Sequence, residues 1–455
     1  MLADGSAVRV HRLLRVLPGK RIVGDGLWND RHVLVKLFVA SGSARHWAQE
    51  KSGIDALHQA RVPTPEMLLA TALPDGGHVL ITAFIDAAES LSDAWRPLSA
   101  TPAGSRDVLD VLCPAFRALG RLHAAGLVQE DLHLGNFMRR GEELFVIDGD
   151  AVRSITPGQP LNDQQAAANL AVLLAQLPVA WDACRQRLLD AYVSGGGSRL
   201  GDPDALDRAL ARVRDRRLSE FLGKTLRDCT LFAVARSGLR FSAALRAELD
   251  FLEPVLASPD VAMSGGVLLK DGRTSTVVRL GLGDRALVVK RYNLKNLRHA
   301  LARFWRPSRA WHSWREAHRL GFYGIATPRP LALIEERVGP LRRRAFLVTE
   351  HCPGVDLLKR LSPDEKPEGD VAWAIISLFK SLHDLRISHG DLKATNLLWH
   401  EGRIFLIDLD AMEQHRSQRR FAKAWRRDRV RLLRNWPQKS VLHQWLDTNL
   451  PPAEG

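Results

Sequence analysis

Three acidic and amide side chains occur twice in this chain at the same intervals. Asp131, Asn136 and Asp148 are separated by 5 and 17 residues from the first aspartate, and Asp391, Asn396 and Asp408 repeat both intervals. A histidine lies 8 residues before each first aspartate, at His123 and His383. An aspartate, an asparagine and a second aspartate in this order suit phosphoryl transfer, which needs alignment and charge neutralisation more than covalent chemistry. One carboxylate must orient an attacking hydroxyl, while an amide and a second carboxylate hold magnesium against the phosphates of ATP. In the second half, Asp391 takes the role of base, Asn396 and Asp408 hold the metal, and Lys393 meets the transferred group. Lys290 is the candidate grip on the α- and β-phosphates, steadied by Glu316 from the helix-like stretch Trp314-Arg-Glu-Ala-His. In the first half the same roles fall to Asp131, Asn136, Asp148, Lys36 and Glu50, with His133 where the second half has Lys393. Each match alone is commonplace, since an aspartate after a strand is often a turn residue. The reading rests on the ordered set and its repetition, which is the signature of a duplicated module.

These side chains need elements to place them. Ala115–Ala125 and Trp373–Leu385 have helical apolar spacing, whereas Leu144–Ile147 and Ile404–Ile407 are short apolar runs that read as buried strands. Each Asp-x4-Asn therefore falls on a loop between a helix and a strand, where rigid flanks commonly hold reactive groups. Upstream, the apolar runs around Lys36 and Lys290 read as strands with one lysine near the end. No GxGxxG occurs. Leu269–Val277, with Gly272 and Thr274, and Gly19–Gly26 are the candidate phosphate hairpins. Leu161–Leu256 has a mostly helical pattern, broken at Ser194-Gly-Gly-Gly-Ser198, and the Ser258 to Gly266 stretch, with Pro259 and Gly265-Gly266, is the expected boundary. The expected architecture is α+β: two tandem kinase-like domains, 1–257 and 258–455, each with a small β-rich lobe and a helical lobe, the second ending in a basic tail.

A chain of 455 residues, 45% hydrophobic, exceeds one ordinary core. No signal peptide is read at the start, and Ala166–Ala180 is too short and too interrupted by Asn169, Gln176 and Pro178 to span a bilayer. The expectation is a cytoplasmic protein whose four dispersed cysteines are free thiols. The formal charge of +14 is local: Met412–Ser440 carries ten Lys/Arg against two Asp/Glu, and Arg291–Arg319 eight against one. Such patches suit nucleic acid, an anionic membrane surface or a polyanionic glycolipid. Asn293–Trp314 mixes arginines with Leu297, Leu301, Phe304, Trp305, Trp311 and Trp314, a composition that fits either an interfacial helix or a core helix.

His-Gly-Asp391-Leu-Lys-Ala-Thr-Asn396 with Ile407-Asp408, together with Lys270–Val277, Val289-Lys290, Arg306–Glu316 and Ala326–Pro330, resembles the bacterial lipopolysaccharide core kinases, the heptose and Kdo kinases. The resemblance covers most of the second half; the first half matches mainly at Lys36, Asp131 to Asn136 and Asp148. It implies Mg2+ and ATP as cofactors and a sugar hydroxyl of the lipopolysaccharide core as acceptor, with the protein peripheral on the cytoplasmic face of the inner membrane. It favours a glycolipid and anionic membrane surface over nucleic acid as partner. Only 47 residues follow Asp408, and no Ala-Pro-Glu element follows either metal aspartate, so a small or glycan acceptor is expected rather than a protein. An atypical protein kinase is the competing enzyme. A first half that binds without catalysing is the other alternative, because Gln129-Glu130 stands where the second half has His389-Gly390.

Overall fold

The computed structural model describes residues 2, 5–98, 101, 104–293, 307–338 and 341–452. The chain divides into two compact units, Met1–Asp215 and Arg216–Gly455, with the division inside the helix Pro203–Lys224.

The first unit begins with a five-stranded antiparallel sheet. Its spatial order is Arg9–Leu17, Arg21–Trp28, Arg31–Phe38, His78–Ala83, Met67–Ala72. The helix Ala44–Gln59 is inserted after the third strand. Val33, Val35, Val79 and Ile81 alternate into one buried face, as a half-buried strand requires. A helical region follows. Its long helix Arg106–Ala124 buries Val108, Val111, Leu112, Ala115, Phe116, Leu119 and Leu122 on one stripe, against the helices Asp163–Leu174 and Arg185–Ser194.

The second unit repeats that strand order: Val267–Gly272, Ser275–Leu282, Arg285–Tyr292, Leu341–Glu350, Pro330–Val338. It then extends the sheet by two further strands, Arg240–Leu245 and Phe232–Arg236. Helix Arg309–Phe322 is the counterpart of Ala44–Gln59. Helices Gly369–Asp384, Gln418–Leu433 and Val441–Asn449 form the second region, in which Phe379, Phe421 and Trp425 meet edge to face or tilted.

Two expectations are corrected here. Residues 216–257, assigned from the sequence to the first module, contribute to the second unit: Ser242 pairs with Ile334 and Ala243 with Leu333. The helical pattern read through Leu161–Leu256 fails at Phe232–Arg236 and Arg240–Leu245, which are strands. Their alanine-rich sequences carry little strand propensity, and pairing with a strand 90 residues downstream overrides it. The helices and strands predicted around both Asp-x4-Asn loops do form, as Arg106–Ala124, Glu143–Val146, Gly369–Asp384 and Arg403–Leu406.

Candidate active site

Each unit builds its polar cluster from the same parts. Lys36 lies on the third strand opposite Val23 and Leu80, and Lys290 lies on its counterpart opposite Val277 and Leu347. Asn136 and Asn396 each close a single 3-10 turn, at Leu134–Asn136 and Ala394–Asn396. The asparagine Nδ2 donates to the carbonyl of the first aspartate, Asp131 at 2.7 Å and Asp391 at 2.9 Å. That bond occupies the amide nitrogen and leaves Oδ1 as the atom each side chain can offer to a cation. The loop backbone also accepts from the strand end, with Ile147 N to Asn136 O at 2.9 Å and Ile407 N to Asn396 O at 3.0 Å. The next residues, Asp148 and Asp408, stand in the left-handed region at φ 69° and 59°. Non-glycine residues seldom occupy it, and they cluster there at functional sites.

In the second unit a cavity of about 340 Å³ is lined by Ser275, Lys290, Glu350, Asn396, Asp408 and Asp410, among others. Lys290 Nζ donates to Asp408 Oδ1 at 2.6 Å and to Asp410 Oδ1 at 2.9 Å. Asp410 also accepts from the Tyr292 hydroxyl at 2.6 Å and from Ser313 at 2.8 Å. Burial opposes the charge on Asp408, but Lys290 beside it outweighs this and holds the carboxyl below its usual range. Asp391 is partly exposed and lies 3.1 Å from Lys393 Nζ and 3.2 Å from Arg431. Gly272 ends the first strand and Thr274 lies in the two-residue turn that joins it to the second. The Thr274 carbonyl accepts from Arg309 at 2.7 Å and from Asn293 N at 3.1 Å.

One predicted pair is absent. Glu316 does not meet Lys290; it is buried and chelated by Arg319, at 2.7 Å and 3.2 Å. Arg319 sits one helical turn on and reaches back, whereas Lys290 finds two aspartates nearer its own strand end. In the first unit the corresponding pair exists: Lys36 Nζ is 2.5 Å from Glu50 Oε1 and 3.4 Å from Asp148 Oδ1. Asp131 is exposed, with His133 3.9 Å away. Gly24 and Gly26 are not at a phosphate turn: both lie within the strand Arg21–Trp28, and a Cβ on Gly26 would fall 2.2 Å from the Arg9 carbonyl. They are glycines because the neighbouring strand comes close.

Sequence reasoning missed four groups. Asp150 and Asp410 stand two residues past the metal-type aspartates, and the repeated Asp-x-Asp was their signal. Arg21 donates to Glu50 at 2.6 Å, to Asp148 at 2.7 Å and to Asp150 at 2.8 Å. Asp428, on the basic tail helix, is buried and accepts from His389 N at 2.6 Å and Gly390 N at 3.1 Å, which fixes the backbone just before Asp391. No interval in the repeat points to Asp428, because the first unit does the same work differently. There Asn169 binds Gln129 through N and O, at 3.3 Å and 2.8 Å. Gln129 Nε2 then donates to Asp148 O at 3.2 Å, as His389 Nε2 meets Ile407 O at 2.9 Å in the second unit. Burial pushes the His389 imidazole below its usual range, against the pull of the carboxylates around it.

Residues 271–448, the part of the second unit that builds this cavity, match the profile of the lipopolysaccharide kinase (Kdo/WaaP) family. That segment is similar to the family. A 3-deoxy-D-manno-octulosonic acid kinase of Mannheimia succiniciproducens is 28% identical over 135 residues, covering 26% of this chain and 56% of that protein. The enzyme of the same description from Actinobacillus succinogenes is 33% identical over 108 residues, covering 23% of this chain and 45% of that protein. The match thus spans about half the length of these curated relatives. A solved structure described as WaaP in complex with acyl carrier protein aligns at 19% identity and a TM-score of 0.37, over 47% of this chain and 89% of its own. The family match falls outside the first unit, whose cluster is known only from the repeat and its geometry.

The membrane readings divide. Residues 294–306 of the predicted interfacial stretch lie outside the described residues. Trp314 is core: it is fully buried and its Nε1 donates to Thr225 O at 3.3 Å. The tail helix Gln418–Leu433 packs Phe421, Trp425, Asp428, Arg429 and Leu432 inward and leaves Arg419, Arg420, Lys423 and Arg427 exposed. Among the described residues no helix is long and apolar enough to cross a membrane.

Proposed function

We propose that the second unit transfers the γ-phosphoryl group of ATP to a hydroxyl of a Kdo or heptose residue in the lipopolysaccharide core. One coincidence carries the reading: the segment that matches the kinase family is the segment whose loops gather Lys290, Asn396, Asp408 and Asp410 around one cavity. The donor set suits a hard divalent cation, since Asp408 offers carboxylate oxygens and Asn396 turns its amide nitrogen away to Asp391 O. Magnesium held there would neutralise charge on the phosphates. Asp391 receives the proton of the acceptor hydroxyl. Lys393 lies beside Asp391 and draws the transferred group toward it. Lys290 exchanges its aspartate partners for phosphate oxygens when nucleotide enters, which frees Asp408 as a ligand.

The descriptions of the two curated relatives support a Kdo hydroxyl as acceptor. The exposed arginines of the tail helix suit an anionic glycolipid and the cytoplasmic face of the inner membrane, where a peripheral protein would meet it. Purified full-length chain with Mg2+ and γ-labelled ATP is expected to label core oligosaccharide, and Asp391→Ala to lower that labelling by about 10²–10⁴-fold. Absence of labelling by the native chain across Kdo- and heptose-terminated acceptors would overturn the assignment, and label on protein but not glycan would replace it with a protein kinase.

A further inference from the structure

The first unit contains the lysine, glutamate, asparagine and both aspartates of the repeat, and among its differences from the second one bears directly on the metal-type aspartate. Val23 lies opposite Lys36 and Val277 opposite Lys290, so the strands share a register. Two residues upstream of these valines stand Arg21 in the first unit and Ser275 in the second. Both are buried. Ser275 offers a neutral hydroxyl where the first unit has a guanidinium. Arg21 reaches Asp148, Asp150 and Glu50 at once, at 2.6 to 2.8 Å.

These three carboxylates are the group of the described residues close enough together to hold a metal ion. A guanidinium lies among them instead. Asp148 Oδ1 accepts from Arg21 at 2.7 Å and from Lys36 at 3.4 Å, while Lys36 itself is committed to Glu50 at 2.5 Å. The second unit's Asp408 meets one lysine, on a flexible stem that can swing to phosphate. Arg21 cannot escape that way. It stays charged at any working pH, its side chain is 7% exposed, and withdrawing it would leave three clustered carboxylates compensated in part by Lys36. A divalent cation and this arginine compete for the same oxygens, so the first cluster, as arranged, does not fit magnesium.

We infer that Arg21 is the resident counter-charge of the first unit, takes the place a divalent cation would fill on Asp148, and leaves metal-dependent phosphoryl transfer to the second unit alone. This rests on the kinase reading of the second unit only for the comparison, and its test separates the two.

The probe is Mn2+ with a non-hydrolysable ATP analogue, counted by electron paramagnetic resonance on the full-length chain. With Asp408→Asn the nucleotide-dependent Mn2+ site is expected to vanish while Arg21 is present. Adding Arg21→Ser, the residue of the matching position, is expected to create a site, and adding Asp148→Asn to that chain to remove it again. A Mn2+ site that persists in Asp408→Asn with Arg21 intact overturns the inference, as does a folded Arg21→Ser chain that gains none. If circular dichroism shows Arg21→Ser misfolded, the Asp408→Asn result decides alone. A native chain with no site at all would count against the second unit's kinase reading, and the Arg21→Ser gain would still decide the first.

Discussion

Asp148 and Asp408 hold a left-handed backbone at φ 69° and 59°, a conformation that costs an ordinary residue on the order of 1–3 kcal/mol. The cost is met by ties on either side: the asparagine turn clamps the preceding peptide, and a buried residue clamps the loop before the first aspartate. In the second unit that residue is Asp428, whose two oxygens take the amides of His389 and Gly390. Asp428→Ala should strand both amides and lower stability by about 2–6 kcal/mol, since each buried donor left unmade costs about 1–3 kcal/mol. Asp428→Asn keeps one acceptor oxygen and should lose less. Thermal unfolding of the two variants checks the order, and equal losses would mean that packing rather than the paired acceptors matters. A further readout is turnover, which should fall with KM for ATP little changed, because Asp428 supports the base loop and not the lysine strand.

At the scale of elements, the helix Arg309–Phe322 is fixed by Trp314, which fills the space beside Phe232 and Tyr292. Trp314→Ala should cost about 3–5 kcal/mol by the cavity it leaves; calorimetry on the full chain would register it as a lower midpoint for the second unit. Helix Arg106–Ala124 is tied to its neighbours by His123, buried between Tyr192 at 3.1 Å and Asn169 at 3.1 Å. Burial lowers the His123 pKa from 6.5 to about 4. Below pH 6.5 the unfolded chain takes up a proton that the folded chain refuses until about pH 4. The stability that the neutral imidazole contributes is therefore complete above pH 6.5 and falls as pH drops, by about 3 kcal/mol at most across that window. Unfolding of the first unit followed from pH 7 to 4 should show that slope, and His123→Gln should flatten it.

At the scale of the molecule, the division at Asp215/Arg216 gives the second unit two strands beyond the repeat. A fragment 258–455 lacks them and exposes the edge of Pro330–Val338, with Leu331, Leu333 and Ile334 uncovered. A fragment 216–455 keeps the edge paired. The longer fragment should run as a monomer in gel filtration and unfold cooperatively, whereas the shorter should associate. Equal behaviour would show that the added strands are dispensable. The net charge of +14 also resolves spatially here: in the tail helix one face is packed and the other carries the exposed arginines, so the charge is a surface property of an element that also supports the site through Asp428.

The repeated intervals located both loops, and the apolar runs located both strand lysines and the elements that flank the loops, because those features are local and survive in one dimension. The family resemblance of the second half was legible for the same reason, since its motifs are short. Pairing was not legible. Whether Lys290 meets Glu316 or Asp408 depends on where a helix packs against a sheet, and Arg319, one turn away, took the glutamate. Asp428 and Arg21 lie 37 residues after Asp391 and 127 before Asp148, so no local pattern links them to the sites they complete. Tertiary structure also reversed the weight of the two halves in one respect: the first forms the lysine–glutamate pair, and the same fold places an arginine on its metal-type aspartate. The chain order supplies the reactive groups, and only folding decides which charge each one meets.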